Sequence, residues 1–391
     1  MTTSAAAVRP LRAATGALTT TIACSVPVFL VGGLAVQIGA DLDFRPAGLG
    51  LAVSAYFGAT ALASVPAGAL VERYGSTAIA RCGIALSASS LFAVAALARS
   101  LWSLVLILAL GAGANAMGQL ASNTSLSRHV PVRRQGLSFG VKQAAIPVST
   151  LLAGAAVPLV ALTLGWRWAF VFAAVASVAA LWLVPVETDR AGRSAAHSAE
   201  RATSALVVIG LAATLAAGAA NALGTFLVDS AVARGIEPGP AGLALTLGSL
   251  VCVLARIGGG WQADRLPSRQ IGVIAALLAS GAAGLALLAV PGTLPLIVGV
   301  VLGFGLGWAW PGLMNFAVVR LHPQAPAAAT SITQTGVYAG GCLGPLALGA
   351  LAEAGGYPIM WTTAAVAMLA AAGLMVIGSN MLRRHHTSRP A

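Results

Sequence analysis

The feature that most constrains this chain is a series of twelve apolar runs, each about 20 residues or longer, spread along its 391 residues. A helix of about 20 apolar residues crosses a hydrocarbon layer of about 30 Å. Because the runs are continuously apolar rather than alternating, they favour helices, which satisfy their own backbone polar groups, over barrel strands. The predicted fold is all-α and polytopic, with spans at 13–38, 46–71, 77–98, 101–125, 136–163, 167–186, 205–229, 239–263, 270–291, 294–318, 328–352 and 358–381.

The charge distribution predicts how the chain sits in the membrane. Only 8% of residues are charged and the net charge is +12, but the arginines are spread over short loops, which does not favour nucleic-acid binding. Alternation of the loops puts sixteen arginines on the side of both termini and leaves four, Arg45, Arg99, Arg167 and Arg234, on the other. The positive-inside rule therefore places both termini in the cytoplasm and the chain in the cytoplasmic (inner) membrane.

The residue types that build metal or catalytic sites are not grouped in this sequence. The four cysteines, Cys24, Cys82, Cys252 and Cys342, fall inside predicted helices, with no CxxC pair and no His cluster at metal-ligand spacing. We therefore expect no disulfide, metal site or cofactor. No Ser, His and acid set lies at a common depth, so an enzyme is the least favoured of the functional alternatives.

The second half of the chain repeats the first. "PAGL" at 46–49 returns at 240–243, "GALVER" at 68–73 returns as "GWQADR" at 260–265, and Asn123 and Gln143 return as Asn315 and Gln334. Ordered matches at offsets of 191 to 194 indicate a parallel duplication. We predict an N-terminal six-helix bundle at 1–186, a cytoplasmic central loop at 187–204, and a C-terminal six-helix bundle with a short tail at 205–391.

A loop motif between predicted spans 2 and 3 resembles that of the major facilitator superfamily, and the resemblance covers nearly the whole chain. Its residues are Gly68, Leu70, Glu72, Arg73 and Gly75, with a second copy at Gly260, Asp264 and Arg265. Glu72 stands where that family usually has aspartate. We interpret Gly68 and Gly260 as points of close helix packing, and each acid as a latch to a neighbouring helix. Positive-inside anchoring with a tight turn is the simpler alternative.

The resemblance implies two six-helix bundles related by a pseudo-two-fold axis, which rock around a central site in alternating access. It also implies that spans 1, 4, 7 and 10 line the cavity, spans 2, 5, 8 and 11 form the gates, and the others face lipid. We expect a monomer that transports a small molecule. Whether a proton or another ion is transported with it stays an open question. Fold alone does not name the substrate.

Two cations fall within predicted spans, Lys142, the only lysine, and Arg256. Neither is duplicated, because their counterparts are Thr333 and Ser64. Both lie roughly 10 to 12 Å inside the membrane on spans 5 and 8, so they can meet at the interface of the halves. Arg256 also resembles an anion-contacting arginine of nitrate, nitrite and oxalate carriers. The alternatives are that Lys142 snorkels to the membrane surface and that Arg256 only braces the gate.

Other polar, aromatic and bend-forming residues complete the predicted site. The further substrate-binding candidates are Asn115, Gln119, Asn221, Trp308, Trp310, Gln334 and Tyr338. Each has the alternative of bonding or packing against a neighbouring helix only. The predicted packing and hinge residues are Pro147, Pro158, Pro311, Gly340, Gly344 and Pro345, with static kinks as the alternative.

The placement of acids decides which cargo the sequence favours. All ten acidic residues fall in loops or at helix ends, and intramembrane cations without acid partners are costly unless an anion or dipoles compensate them. We therefore predict a secondary active transporter of a small organic or inorganic anion. A drug/proton antiporter is the first alternative, although Ile107 stands where such proteins carry an arginine and span 5 lacks their glycine-proline signature. A non-transporting receptor is the second.

Overall fold

A computed structural model of the chain describes residues 10–185, 203–266, 270–321 and 326–387. Its α-helices are α1 (Pro10–Gly33), α2 (Ala35–Leu42), α3 (Pro46–Tyr74), α4 (Ser76–Leu97), α5 (Leu101–Gly111), α6 (Gly113–His129), α7 (Gln135–Gln143), α8 (Ala145–Ala156), α9 (Trp166–Ala180), α10 (Thr203–Val232), α11 (Pro238–Arg265), α12 (Gln270–Ala289), α13 (Thr293–Leu302), α14 (Trp310–Leu321), α15 (Pro326–Gly355) and α16 (Tyr357–Thr387). The predicted central loop at 187–204 lies almost entirely outside the described residues.

These helices form twelve spans that are long and apolar enough to cross a membrane, which confirms the predicted all-α polytopic fold. Spans 1 to 3 are α1, α3 and α4; span 4 combines α5 with α6, and span 5 combines α7 with α8. Spans 6 to 9 are α9 to α12, span 10 combines α13 with α14, and spans 11 and 12 are α15 and α16. Because the number of spans is even, α1 begins and α16 ends on the same face of the membrane.

Several spans are interrupted, and most interruptions lie at or next to predicted hinge residues. Span 5 is broken at Ala144, three residues before Pro147, and continues into a π-helical turn that contains Pro158. Span 10 contains a π-helical turn at Gly303–Gly307, just before Pro311. A proline cannot donate to the carbonyl four residues earlier, which explains breaks of this kind. Pro345 is different, because α15 runs through it without interruption.

One predicted boundary is wrong. The sequence predicts a first span that continues to residue 38, whereas α1 ends at Gly33 and a separate helix, α2, begins at Ala35. Gly33 lies against the backbone and side chain of Ala153, where a Cβ would come within 2.8 Å. The chain therefore passes span 5 closely where the first helix ends.

Spans 1 and 7 form the centre of the molecule. Their apolar windows are 72% buried, whereas that of span 6 is only 33% buried, as expected for a helix that faces lipid. The halves meet where span 2 packs on span 11, span 5 on span 8 and span 1 on span 7. Glycines permit these approaches: a Cβ on Gly154 would come within 2.5 Å of the Gly242 carbonyl oxygen.

Candidate functional site

A cavity lies between the two halves of the chain. Its volume is about 60 Å³, enough for a few water molecules or a small solute. The lining comes from spans 1, 4, 7 and 10 and from the gate spans 2, 5, 8 and 11, as the resemblance implies. The lining residues are Ser25, Val28, Phe29, Phe57, Asn115, Gln119, Gln143, Ile146, Ala217, Asn221, Arg256, Trp308, Trp310, Pro311, Met314, Asn315, Gln334, Val337 and Tyr338.

Arg256 is the charged residue of this lining, and only 2% of it is exposed. Its Nε and Nη2 atoms donate to the carbonyl oxygen of Trp308 at 3.0 and 2.7 Å, and Nη1 donates to the carbonyl oxygen of Gln143 at 2.5 Å. Its guanidinium carbon also lies 5.7 Å from the centre of the Trp308 ring. Backbone dipoles and an aromatic face therefore compensate this charge, and none of the described acids lines the cavity.

Interrupted helices place these two carbonyls. Pro147 has no N–H to donate to the carbonyl of Gln143, four residues earlier, so that oxygen is free to accept from Arg256. Trp308 lies between the π-helical turn of span 10 and the start of α14, where its carbonyl is outside the regular helical pattern. Backbone irregularities of this kind often occur at functional sites.

Lys142 lies behind the cavity lining rather than in it. Its side chain is 1% exposed, and its ammonium donates to the amide oxygen of Gln119, which does line the cavity. The ammonium is therefore inside the protein. The snorkelling alternative would place it at the membrane surface instead. Arg256 contacts the backbone of the residue next to Lys142, so the two cations lie close in height, as the sequence predicts.

The other predicted substrate-binding residues come together around the same space. Asn115, Gln119, Asn221, Trp308, Trp310, Gln334 and Tyr338 all line the cavity. The Trp308 ring packs edge to face on Phe29 and Phe304, with ring centres 5.9 and 5.6 Å away. Both tryptophans are buried, so they form a wall of the cavity and not a membrane-surface belt.

Sequence reasoning missed several lining residues, including Gln143, Asn315 and Phe57. Gln143 and Asn315 each have a counterpart in the other half, which is typical of a scaffold that both halves share. Duplication alone does not separate scaffold from site, because Gln334 is also duplicated and lines the cavity. The proline four residues after Gln143 is the sequence signal that points to its free carbonyl.

On the face where α1 begins and α16 ends, the second copy of the loop motif closes the contact between the halves. The Asp264 carboxylate accepts hydrogen bonds from the backbone N–H groups of Gly136 and Leu137, at 2.8 and 2.9 Å. These N–H groups belong to the first turn of α7, where a helix has unpaired donors and a positive dipole end. Gly260 packs beside this contact, since a Cβ there would come within 2.6 Å of the Gly136 carbonyl oxygen.

The first copy of the motif is placed differently. Gly75 has a φ of 84° and joins α3 to α4 in a single residue, a conformation that favours glycine. Leu70, Glu72 and Arg73 are exposed, and the nearest described atom to a Cβ on Gly68 is Leu120 Cδ1 at 4.0 Å. The described residues thus show close packing at Gly260 but not at Gly68. In the second copy, the guanidinium carbon of Arg265 lies over the ring of Trp261, 3.6 Å from the ring centre.

The opposite face has a contact of the same chemical type. The backbone N–H of Ala47, in the first turn of α3, donates to a carboxylate oxygen of Glu353 at 3.2 Å. Nearby, Gly50 lies against the carbonyl of Pro345, while Gly340 and Gly344 lie against span 7 at Thr214 and Gly218. The cavity thus lies between two contacts, on opposite faces, in which an acid of the second half meets the start of a helix of the first.

These features define a twelve-span membrane protein built from two similar halves around a central cavity that contains a buried arginine. Residues 16–209 and 209–390 each match the sequence profile of the Major Facilitator Superfamily. The chain belongs to this superfamily of membrane transporters. It is a multi-pass membrane protein, and membership implies a small-molecule substrate.

A solved structure has the same fold. The human organic anion transporter MFSD10 (TETRAN) superposes with a TM-score of 0.67 over 94% of this chain and 99% of its own, at 14% sequence identity. No curated protein sequence matches this chain. At that identity the similarity establishes the fold only. The substrate has to be inferred from the residues that line the cavity.

Proposed function

We propose that this chain is a secondary active transporter that carries a small organic or inorganic anion across the cytoplasmic membrane. The observation that supports this most is Arg256, a buried guanidinium in the cavity whose described partners, two backbone carbonyls and the thiol of Cys252, carry no formal charge. A guanidinium has five N–H donors; the carbonyls use three and the Cys252 thiol can take a fourth. At least one remains available to an anion that enters the cavity.

Lys142 strengthens the preference for negative charge. Its ammonium lies one side chain away from the cavity, behind Gln119, and adds a second positive charge to the same region. Two buried cations without a carboxylate destabilise each other, and a bound anion relieves that cost. We assign Lys142 and Arg256 to anion binding, Arg256 by direct contact and Lys142 through the field that it adds.

Transport proceeds by rocking of residues 1–186 against residues 205–391, with both termini in the cytoplasm. The positive-inside distribution of arginines supports this orientation. The contacts of Asp264 and Glu353 are suited to close the cavity towards the cytoplasm and towards the outside, respectively. The structural relative named as an organic anion transporter is consistent with this function, but the choice of an anion rests on Arg256.

A thermal-shift screen of purified protein against anionic, neutral and cationic metabolites, followed by flux into proteoliposomes, tests the proposal. We expect stabilisation by anions and at least tenfold weaker binding in Arg256→Gln, because charged hydrogen bonds contribute about 1.5–3 kcal/mol. Arg234→Gln is the matched control, since Arg234 also donates to a backbone carbonyl, that of Val290, but lies outside the cavity. A pH gradient across the same vesicles shows whether a proton accompanies the anion.

Three results would contradict the proposal. Wild-type affinity for the anion in Arg256→Gln would remove the assigned site. Stabilisation by hydrophobic cations with no effect of Arg256→Gln would favour a drug/proton antiporter. Binding without flux would favour a receptor that has kept the transporter fold.

A further inference from the structure

Three buried side-chain atoms of the cavity lining have no hydrogen-bond partner within the described part of the chain. They are the amide oxygens of Asn115 and Gln143 and the indole Nε1 of Trp310. An unpaired buried polar group is costly, so each of these atoms calls for a partner, and the cavity that its residue lines is the space that can hold one. These atoms therefore describe the hydrogen-bonding groups of a ligand.

Neighbouring polar groups are already engaged. The amide oxygen of Gln119 accepts from the Lys142 ammonium, and the Ser25 hydroxyl donates to the Thr21 carbonyl at 2.8 Å. The backbone carbonyl of Gln143 accepts from Arg256, which leaves its side-chain oxygen as a separate acceptor. Asn115 and Gln143, on spans 4 and 5, thus present two free acceptors from the first half of the chain.

The second half presents donors. Arg256 has at least one N–H group left after its bonds to two carbonyls and the Cys252 thiol, and the Trp310 indole adds another. An ion that only accepts hydrogen bonds, such as nitrate or acetate, satisfies these donors and leaves both amide oxygens unpaired. A cationic donor is disfavoured there, because Arg256 and Lys142 repel it.

We infer that the substrate carries a neutral hydrogen-bond donor, most simply a hydroxyl, beside its anionic group, so that Asn115 and Gln143 bind one end while Arg256 and Trp310 bind the other. This inference rests on the proposed anion transport. It makes the substrate a small hydroxylated anion, in keeping with a cavity of about 60 Å³. Such a molecule bridges the two halves of the protein.

Matched ligand pairs that differ by one hydroxyl test this inference. Binding of glycolate is compared with acetate, and lactate with propionate, by thermal-shift titration of the purified full-length protein. We expect the hydroxylated member to bind about tenfold tighter, the effect of one or two hydrogen bonds. Asn115→Leu and Gln143→Met should each reduce this preference severalfold, because the affinity for glycolate and lactate falls more than the affinity for acetate and propionate.

Asn123→Leu is the matched control, because the amide oxygen of Asn123 is equally buried and unpaired but does not line the cavity. It should keep the wild-type preference. Elution and melting profiles show whether each variant folds, and either lining variant alone decides the test. Equal affinities within both pairs, or an unchanged preference in both lining variants, would overturn the inference.

The test also separates this inference from the proposed function. If both members of each pair bind equally and Arg256→Gln weakens both, the anion site stands and the hydroxyl requirement is wrong. If no anion binds, the proposed function fails and this inference fails with it.

Discussion

At the scale of single residues, the cavity is unusual in how its positive charge is compensated. Arg256 is paired with carbonyl oxygens and Lys142 with an amide oxygen, all of them neutral groups. Removing one member of a buried ion pair leaves the other charge uncompensated, which costs about 3–5 kcal/mol. Here, removal of a cation leaves no buried carboxylate behind among the described lining residues. Stability and anion binding should therefore respond to mutation independently.

Lys142→Met provides a direct test of that independence. We expect an unchanged or higher melting temperature, because the variant removes a buried charge and its repulsion with Arg256, on the order of 1–2 kcal/mol. The affinity for the anion should fall severalfold, since one of two positive charges near the site is lost. Lys142→Arg, which keeps the charge, is the matched control for the melting temperature. A large loss of stability in Lys142→Met with unchanged anion affinity would show that Lys142 is structural only.

At the scale of elements, glycines determine where the halves touch. Gly260 of span 8 and Gly136 of span 5 are so close that a Cβ on Gly260 would lie 2.6 Å from the Gly136 carbonyl oxygen. A Cβ on Gly140 would likewise lie 2.6 Å from the carbonyl oxygen of Arg256. The spans can therefore come together at this level without side chains between them. The same approach brings the Asp264 carboxylate to the start of α7.

Substitution of these glycines should have effects that depend on position along one helix. Gly260→Ala should lower the melting temperature, because overpacking typically costs about 1–3 kcal/mol. Gly258→Ala, two residues earlier, is the matched control: no described atom lies within 4 Å of its added Cβ, and alanine favours the helix by up to about 1 kcal/mol. Melting curves in detergent measure both. Equal effects of the two substitutions would contradict a close contact at Gly260.

At the scale of the whole molecule, two acids of the second half hold helix starts of the first half on opposite faces. Asp264 contacts the first turn of span 5, and Glu353 contacts the first turn of span 2. A negative charge at a helix N-terminus typically contributes about 0.3–1 kcal/mol, and up to about 2 kcal/mol when partly buried. The two contacts stabilise closure of opposite faces, so they should bias the alternating-access equilibrium in opposite directions.

Asp264→Asn and Glu353→Gln should therefore shift the conformational population in opposite senses. Spin labels at Arg133 and Leu266 report on the proposed cytoplasmic face, and labels at Arg45 and Ala354 on the other, with the exposed Cys82 replaced by serine. Asp264→Asn should lengthen the first distance and Glu353→Gln the second. About 1 kcal/mol corresponds to a roughly fivefold change in population. A shift in the same sense for both variants would contradict the assignment of two opposing gates.

The sequence alone was sufficient for much of the architecture. Length and apolarity are local properties, so they predicted the spans, and the helical rise per residue placed Lys142 and Arg256 at similar depths on spans 5 and 8. The family motif predicted close packing at Gly260 and a latch at Asp264 because both depend on residue type at a helix end. Most predicted lining residues were polar or aromatic groups within otherwise apolar helices.

Only the tertiary structure decided which side chains meet in the cavity. Lys142 and Gln143 are neighbours about 100° apart around the helix, and of the two only Gln143 lines the cavity. The sequence favoured Lys142, whereas Gln143 lines the cavity and supplies the carbonyl that holds Arg256. The physical reason is that the rotation of a span depends on its interruptions and on the helices packed against it. Hydrophobic periodicity measures neither, so span positions and most lining residues could be predicted from sequence, whereas the choice between Lys142 and Gln143 could not.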